Sequence, residues 1–302
     1  MQITLALGGG GSKGCAHIGV LRCLQQHHFQ IKAIAGTSVG AAIGAVFAAG
    51  YSPEEILARL ETIDLQRLFT HGKQETPSLL GFYGLEKLLH EFLGERTFEQ
   101  LKIPFAVTAT DLKHSHEVIL NQGRVIDAVK ASMAIPGVFP SRPWNEYLLV
   151  DGGVMGNVPV SVARQFHPNL PVIAVVLSSY EPGYEIISPL EQIPTHPIFQ
   201  QVIRLRVAQA LNIFLTSMEL STNLLTELRL KIEKPEVIIR PNVKHIGLLA
   251  QVNFSACAQL GYEATKEMLP KLHRAVSLRS RIWRMMTRSL KECEPIHKIA
   301  TS

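Results

Sequence analysis

Short apolar runs alternate with stretches of helical period almost from the first residue. Residues 3–7 form an apolar-rich run closed by glycines and predict a buried strand. Residues 14–26 put Ile18, Leu21 and Leu24 on one helical face, and residues 31–35 predict a second strand. Residues 39–49, rich in alanine and small apolar side chains, predict a fully buried helix. Ser52-Pro53-Glu54-Glu55 is a capping box with proline at the first helical position, Thr97-Phe98-Glu99-Gln100 is a second box, and residues 84–93 between them have helical period. Residues 105–110 and 118–120 read as strands, the second closed by Asn121-Gln122-Gly123, and a helix over 125–133 stops before Pro136-Gly137. The strand over 147–150 runs into Asp151-Gly152-Gly153, and 171–177 is the clearest buried strand. A long helix over 199–231, a strand over 237–240 and a helix over 254–269 follow. Between residues 178 and 197 the pattern is broken by Pro182, Pro189, Pro194 and Pro197, which predicts a loop, either a connector or a lid. Alternating strands and helices predict an α/β fold with a mainly parallel sheet covered on both faces.

Composition narrows the class. The chain has 302 residues, 46% hydrophobic and 18% charged, enough apolar surface to fold, with glycine and proline near average usage. Residues 33–50 carry no charge and are long enough to imitate a membrane span. Four glycines and Thr37-Ser38 near the middle fit a strand, a tight turn and a buried helix better. Cys15, Cys23, Cys257 and Cys293 are far apart and form no CxxC, which reads as reduced thiols. The first residues lack the basic and long apolar regions of a signal peptide. The expected location is cytoplasmic, or peripheral to the inner face of a membrane.

Two motifs carry chemistry. Gly36-Thr37-Ser38-Val39-Gly40 is G-x-S-x-G between a predicted strand and a predicted helix, the context of a nucleophile elbow. Gly8-Gly9-Gly10-Gly11-Ser12-Lys13-Gly14 follows the first strand. Gly9, Gly11 and Gly14 fit a dinucleotide fingerprint, but residues 30–35 lack the acidic residue it requires, and Ser12-Lys13-Gly14 is not a Walker sequence. An oxyanion hole uses both motifs together: the amides of Gly9, Gly10 and Gly11, aided by Val39, would face Ser38. For the base, twelve histidines leave a triad open in composition. However, Ser38 follows only two predicted strands, too early for an α/β-hydrolase order. Asp151, at a strand end before two glycines, is the strongest acid, the alternative being a turn-capping aspartate. His114-x-His116 has no third ligand near it in sequence, so no metal and no cofactor is expected. Lys13 is a candidate phosphate contact or a solvated cation.

The ordered motifs G-G-G-x-[KR]-G, G-x-S-x-G and D-G-[GA], here at residues 9–14, 36–40 and 151–153, resemble the patatin-like phospholipase family. Within it the chain resembles the bacterial lysophospholipase-like proteins related to neuropathy target esterase. Ala131-Ser132-Met133-Ala134-Ile135-Pro136 and Asn157-Val158-Pro159 resemble further family segments. The likeness covers roughly residues 3–165, with weaker similarity to about 269. It implies a three-layer α/β/α sandwich and a serine lipid acyl-hydrolase of phospholipase A or lysophospholipase type. The catalytic pair would be Ser38 and Asp151, with no histidine, and the supporting glycines Gly14, Gly36, Gly40, Gly152 and Gly153. The domain organisation expected is a catalytic domain over 1–185, a helical extension over 186–269 and a basic tail over 270–302. A non-catalytic lipid-binding or regulatory protein of the same fold, or an acyltransferase, are the alternatives.

The net charge of +5 is uneven. Residues 270–302 hold eight Lys/Arg and two Glu, leaving 22 Lys/Arg against 23 Asp/Glu elsewhere. On one helix, Leu272, Val276, Ile282, Trp283, Met286, Leu290 and Cys293 would share a face opposite Arg274, Arg281, Arg284, Arg288 and Lys291, with Arg279 interrupting the apolar stripe. Residues 270–293 are therefore expected either to meet an anionic membrane or to dock on the body with the basic face solvated. No nucleic-acid-binding motif accompanies the charge, and the expected partner is a lipid or lysophospholipid ester.

Overall fold

A computed structural model describes residues 1–63, 68, 70, 72, 78–178 and 206–288. The predicted loop beyond Ser178, the start of the helix expected from 199, and Leu290, Lys291 and Cys293 lie outside the described residues. The elements run β1 (Gln2–Leu7), α1 (Ala16–Gln26), β2 (Gln30–Thr37), α2 (Val39–Ala48), α3 (Pro53–Glu61), α4 (Tyr83–Leu93), β3 (Phe105–Asp111), β4 (His116–Leu120), α5 (Val125–Ser132), β5 (Arg142–Trp144), β6 (Tyr147–Asp151), α6 (Val160–Phe166), β7 (Val172–Val175), α7 (Arg206–Glu233), β8 (Val237–Ile239), α8 (Phe254–Ala275) and α9 (Leu278–Arg288). Short 3-10 turns at Gly11–Cys15 and Gly152–Val154 follow β1 and β6.

The sheet is mixed. β3, β2, β1, β7 and β8 lie side by side and parallel. β4 runs antiparallel along one edge of β3. The other edge is shared end to end: β2 pairs with Phe105 to Thr108, and antiparallel β6 with Ala109 to Asp111. The carboxyl ends of β2 and β6 therefore meet head-on.

Strand alternation separates two cores. Ile3, Leu5, Leu7, Ile34, Phe105, Val107, Ile173 and Val175 face the larger core with α1, α2, α4, α5 and α8. Ala6, Ala35, Ala106 and Ala174 face the other, in register across four strands. This row of methyl groups lets Val160, Val162 and Ala163 of α6 approach the sheet closely, beside Leu230 of α7. The capping box of α3 is formed in both directions, Ser52 N–H to Glu55 at 2.7 Å and Glu55 N–H to Ser52 Oγ at 3.2 Å. No helix among the described residues is long and apolar enough to cross a membrane, and residues 33–50 are β2, a turn and α2.

The basic tail departs from the continuous helix expected. α8 ends at Ala275, its Leu272 fully buried, and α9 begins at Leu278. Arg284, expected on a solvated face, is buried and donates to the carbonyl oxygens of Ala275 at 2.8 Å and Asn169 at 3.4 Å. A guanidinium can leave water there because main-chain carbonyls replace its hydration. Leu278, Ile282 and Met286 instead stand exposed along α9.

Candidate active site

β2 delivers Ser38 to a turn that only a strained backbone can make. Its φ is 54° and ψ −125°, outside the regions comfortable for a side-chain-bearing residue. Gly40 makes the turn fit, since a Cβ there would run into the Leu7 carbonyl of β1. Ser38 Oγ donates to Asp151 Oδ2 at 2.6 Å. The other carboxylate oxygen accepts the Gly153 N–H at 2.7 Å, so the D-G-G turn orients the acid. Both side chains are buried. Burial drives the Asp151 carboxyl up to about 6, against the lowering influence of the hydrogen bonds from Ser38 and Gly153.

Among the described residues, no histidine bonds to Ser38 or Asp151. His17 is fully buried, but its ring meets the Gly8 carbonyl at 2.8 Å, and burial lowers it to about 4, which keeps it neutral. His114 Nδ1 sits 2.5 Å from Asp111 Oδ2 at the β3–β4 hairpin.

The glycine-rich loop lies against the serine: a Cβ on Gly9 would fall 3.0 Å from Ser38 Cβ. Its donors are not all available. The Gly9 N–H, expected in the oxyanion hole, donates to the Asn157 carbonyl at 3.1 Å. The amides of Gly10, Gly11 and Val39 make no hydrogen bond with another described residue. Gly11, at φ 56°, holds a conformation that favours glycine. Gly14, Gly36, Gly152 and Gly153 are all in close contact with neighbouring atoms around this centre.

Lys13 is neither solvated nor free for a phosphate. It is buried, and its Nζ pairs with Glu219 of α7 at 3.4 Å, the two side chains 8% and 14% exposed. A cation in so little water needs an acidic partner, and a helix 206 residues along the chain supplies it.

Sequence reasoning gave no role to Ser132, Asn157 or Glu219. Ser132 Oγ accepts the Ser38 N–H at 2.7 Å, and the Ala134 carbonyl accepts the Asp151 N–H at 2.9 Å. Asn157 Nδ2 donates to the Gly9 carbonyl at 3.4 Å. Ser132 and Asn157 stood inside the two further motif segments, whereas nothing in the sequence around Glu219 signals its partner.

Two cavities meet at Ser38, and Gly11, Ile135 and Leu248 also line both. One, about 150 Å³, is walled by Val39, Ala42, Val46, Leu85, Leu89, Phe92, Met133 and Phe139. The other, about 70 Å³, holds Asp151, Gly10, Asn157, Lys13, Glu219 and Asn223. The first is walled by apolar side chains and the second by polar ones, and Ser38 stands at their junction.

The family model described as patatin-like phospholipase matches residues 5–164. An uncharacterized NTE family protein of Mycobacterium tuberculosis is 36% identical over 185 residues, 60% of this chain and 51% of that protein. Patatin-like phospholipase domain-containing protein 7 of Rattus norvegicus is 33% identical over 184 residues, 59% of this chain and 14% of that protein. The alignments thus span about half the length of the mycobacterial relative and a small part of the mammalian one. Among solved structures, VipD from Legionella pneumophila aligns over 89% of this chain and 66% of its own, with a TM-score of 0.48 and 13% identity. With the family model spanning more than half of its residues, the chain belongs to the patatin-like phospholipases.

Proposed function

We propose that the protein is a serine lipid acyl-hydrolase that cleaves carboxylic esters of a phospholipid or lysophospholipid with a Ser38–Asp151 dyad. The observation that carries this reading is the 2.6 Å hydrogen bond between a serine on a strained elbow and a buried carboxylate raised to about 6. Ser38 Oγ attacks the ester carbonyl carbon as its proton passes to Asp151 Oδ2. The oxyanion is held by the Gly10 and Gly11 amides, with Val39 at the positive end of α2. The tetrahedral intermediate collapses, and the alcohol leaves with the proton from Asp151. Asp151 then takes a proton from water, which attacks the acyl-enzyme; collapse releases the fatty acid as Asp151 returns that proton to Ser38 Oγ. The acyl chain lies in the apolar cavity, and the alcohol portion in the polar one.

Labelling with a fluorophosphonate, followed by peptide mapping, tests the nucleophile. Label on the Ser38 peptide and none in Ser38→Ala is expected. Labelling elsewhere, or hydrolysis of lysophospholipid retained in Ser38→Ala, overturns the reading. Product analysis separates hydrolysis from acyl transfer, because a transferase yields a new ester in place of free fatty acid.

The same reading includes docking of α9 on an anionic bilayer. Leu278, Ile282 and Met286 are exposed on a segment rich in arginine, the composition of an interfacial helix. Replacing these three by serine should weaken sedimentation with phosphatidylglycerol vesicles at low salt, and unchanged binding would refute the docking.

A further inference from the structure

Cys15 and Cys257 are 242 positions apart and read from sequence as isolated thiols. The fold brings them together beside the glycine-rich loop. Both are free and buried, and each is the strongest influence on the other's ionisation. Cys15 Sγ donates to the Ser12 carbonyl at 3.2 Å, and Cys257 Sγ to the Lys13 carbonyl at 3.6 Å, so both hold the turn that follows Gly10 and Gly11. The backbones around them touch. A Cβ on Gly19 would collide with the Ala258 carbonyl, and one on Gly261 with the Ala16 carbonyl, so no side chain separates α1 from α8. Such close approach is what a disulfide requires, with Cα atoms about 4.4–6.8 Å apart. Cys15 also lines the apolar cavity at Ser38, which gives a small oxidant a route to it.

We propose that Cys15 and Cys257 form a peroxide-sensitive thiol pair whose disulfide switches off the Ser38 site. Peroxide entering the cavity transfers one oxygen to the Cys15 sulfur, giving a sulfenic acid and water. The Cys257 sulfur then attacks the Cys15 sulfur. The S–S bond forms, the S–O bond breaks, and the departing hydroxide takes the Cys257 proton to become a second water. Two thiols and one peroxide thus give one disulfide and two waters. The neighbouring Cys257 and burial raise the Cys15 thiol, so its oxidation is the slow step, whereas the Cys257 thiol is lowered and is the readier attacking sulfur. Closing the S–S distance to about 2.05 Å draws Cys15 toward α8 and away from the Ser12 carbonyl. The turn bearing the Gly11 amide moves with it. Cys23, also buried, has no thiol partner among the described residues and is the internal control.

The reduced full-length protein is titrated with hydrogen peroxide and quenched with an alkylating agent, then mapped without reduction. Hydrolysis of a p-nitrophenyl ester is followed in parallel. The expected result is a Cys15–Cys257 linked peptide whose yield tracks a fall in activity of about tenfold or more, reversed by dithiothreitol. Cys257→Ala, and Cys257→Ser should the alanine variant fold poorly, should keep most activity under the same peroxide. Both thiols remaining alkylatable, a disulfide that leaves activity unchanged, or a loss that dithiothreitol does not reverse would each overturn the proposal. The activity arm rests on the hydrolase reading, whereas the linked peptide does not. A cross-link in a protein that never labels at Ser38 would refute that reading and leave the thiol chemistry standing.

Discussion

Asp151→Asn should stabilise the protein while removing its activity, and pH should decide by how much. Asn keeps an oxygen for the Gly153 N–H and offers Ser38 Oγ an N–H, so both hydrogen bonds survive with one partner's role reversed. What disappears is a buried charge. The Asp151 carboxyl moves from 3.8 to about 6, roughly two units, or about 3 kcal/mol at 1.36 kcal/mol per unit. The folded pKa lies above the unfolded one, so the penalty is absent below about pH 4, where both states are protonated. It grows between pH 4 and 6 and is complete above 6. Asn carries no such penalty. At pH 7.5 the variant should therefore melt about 5 °C above the wild type, since unfolding entropy at this length makes 1 kcal/mol worth under 2 °C. Near pH 4 the two should coincide. Hydrolysis should fall by about 10²–10⁴, the usual contribution of a general base. Melting curves at four pH values and a p-nitrophenyl ester assay suffice. A variant no more stable than wild type at pH 7.5, or a stability difference independent of pH, refutes the desolvated carboxylate. Wild-type kcat/KM should likewise fall on the acid side with an apparent pKa about 6, as the base becomes protonated.

Ala42 lines the apolar cavity, so Ala42→Phe should lower kcat/KM for long-chain p-nitrophenyl esters while sparing the acetate, each excluded methylene costing about 0.8 kcal/mol. An equal loss on all chain lengths would refute that cavity as the acyl site. Ser132→Ala removes the acceptor of the Ser38 N–H, leaving a buried donor unpaired at about 1–3 kcal/mol. Its kcat should fall with little change in KM, and Ser132→Thr should restore much of it; a KM effect alone would contradict a positioning role. Arg229→Met strands Glu117 and Glu233, both mostly buried, and removes a hydrogen bond to the Met155 carbonyl beside the D-G-G turn. A loss of about 3–5 kcal/mol in urea unfolding is expected, partly recovered by adding Glu117→Gln, and an unchanged midpoint would show the network to be idle.

How much was legible in the sequence follows from the range of each signal. Elbow, glycine loop and acid are local patterns: strand, turn and helix lie within a few residues, and the pairing of Ser38 with Asp151 rested on the family resemblance. The antiparallel course of β6 was not legible, because an apolar strand of five residues reads the same in either direction. Nor was the loss of Gly9 as a donor, which depends on the carbonyl of a residue 148 positions away. Lys13 misled for the same reason, its acidic partner lying on α7. The tail misled differently. Hydrophobic period reports that a face is sheltered somewhere, but carbonyl oxygens sheltered Arg284 while Ile282 and Met286 stayed outside.

One short segment explains how the proposed dyad would be held without a third side chain. In a serine–histidine pair, an acid orients the imidazole and a loop orients the serine. Here the residues between Ser132 and Ala134 do both: a hydroxyl takes the Ser38 N–H, and two residues on a carbonyl takes the Asp151 N–H. Met133 between them lines the apolar cavity. Serine, acid and cavity wall are thus fixed to one another within three residues. The head-on meeting of β2 and β6 supplies the approach, because it brings two carboxyl ends together where neighbouring parallel strands would hold them side by side. Burial then completes what the geometry begins. A carboxylate in water is too weak a base for a serine hydroxyl near neutral pH, and one lifted to about 6 is better matched to the task without needing an imidazole as intermediary.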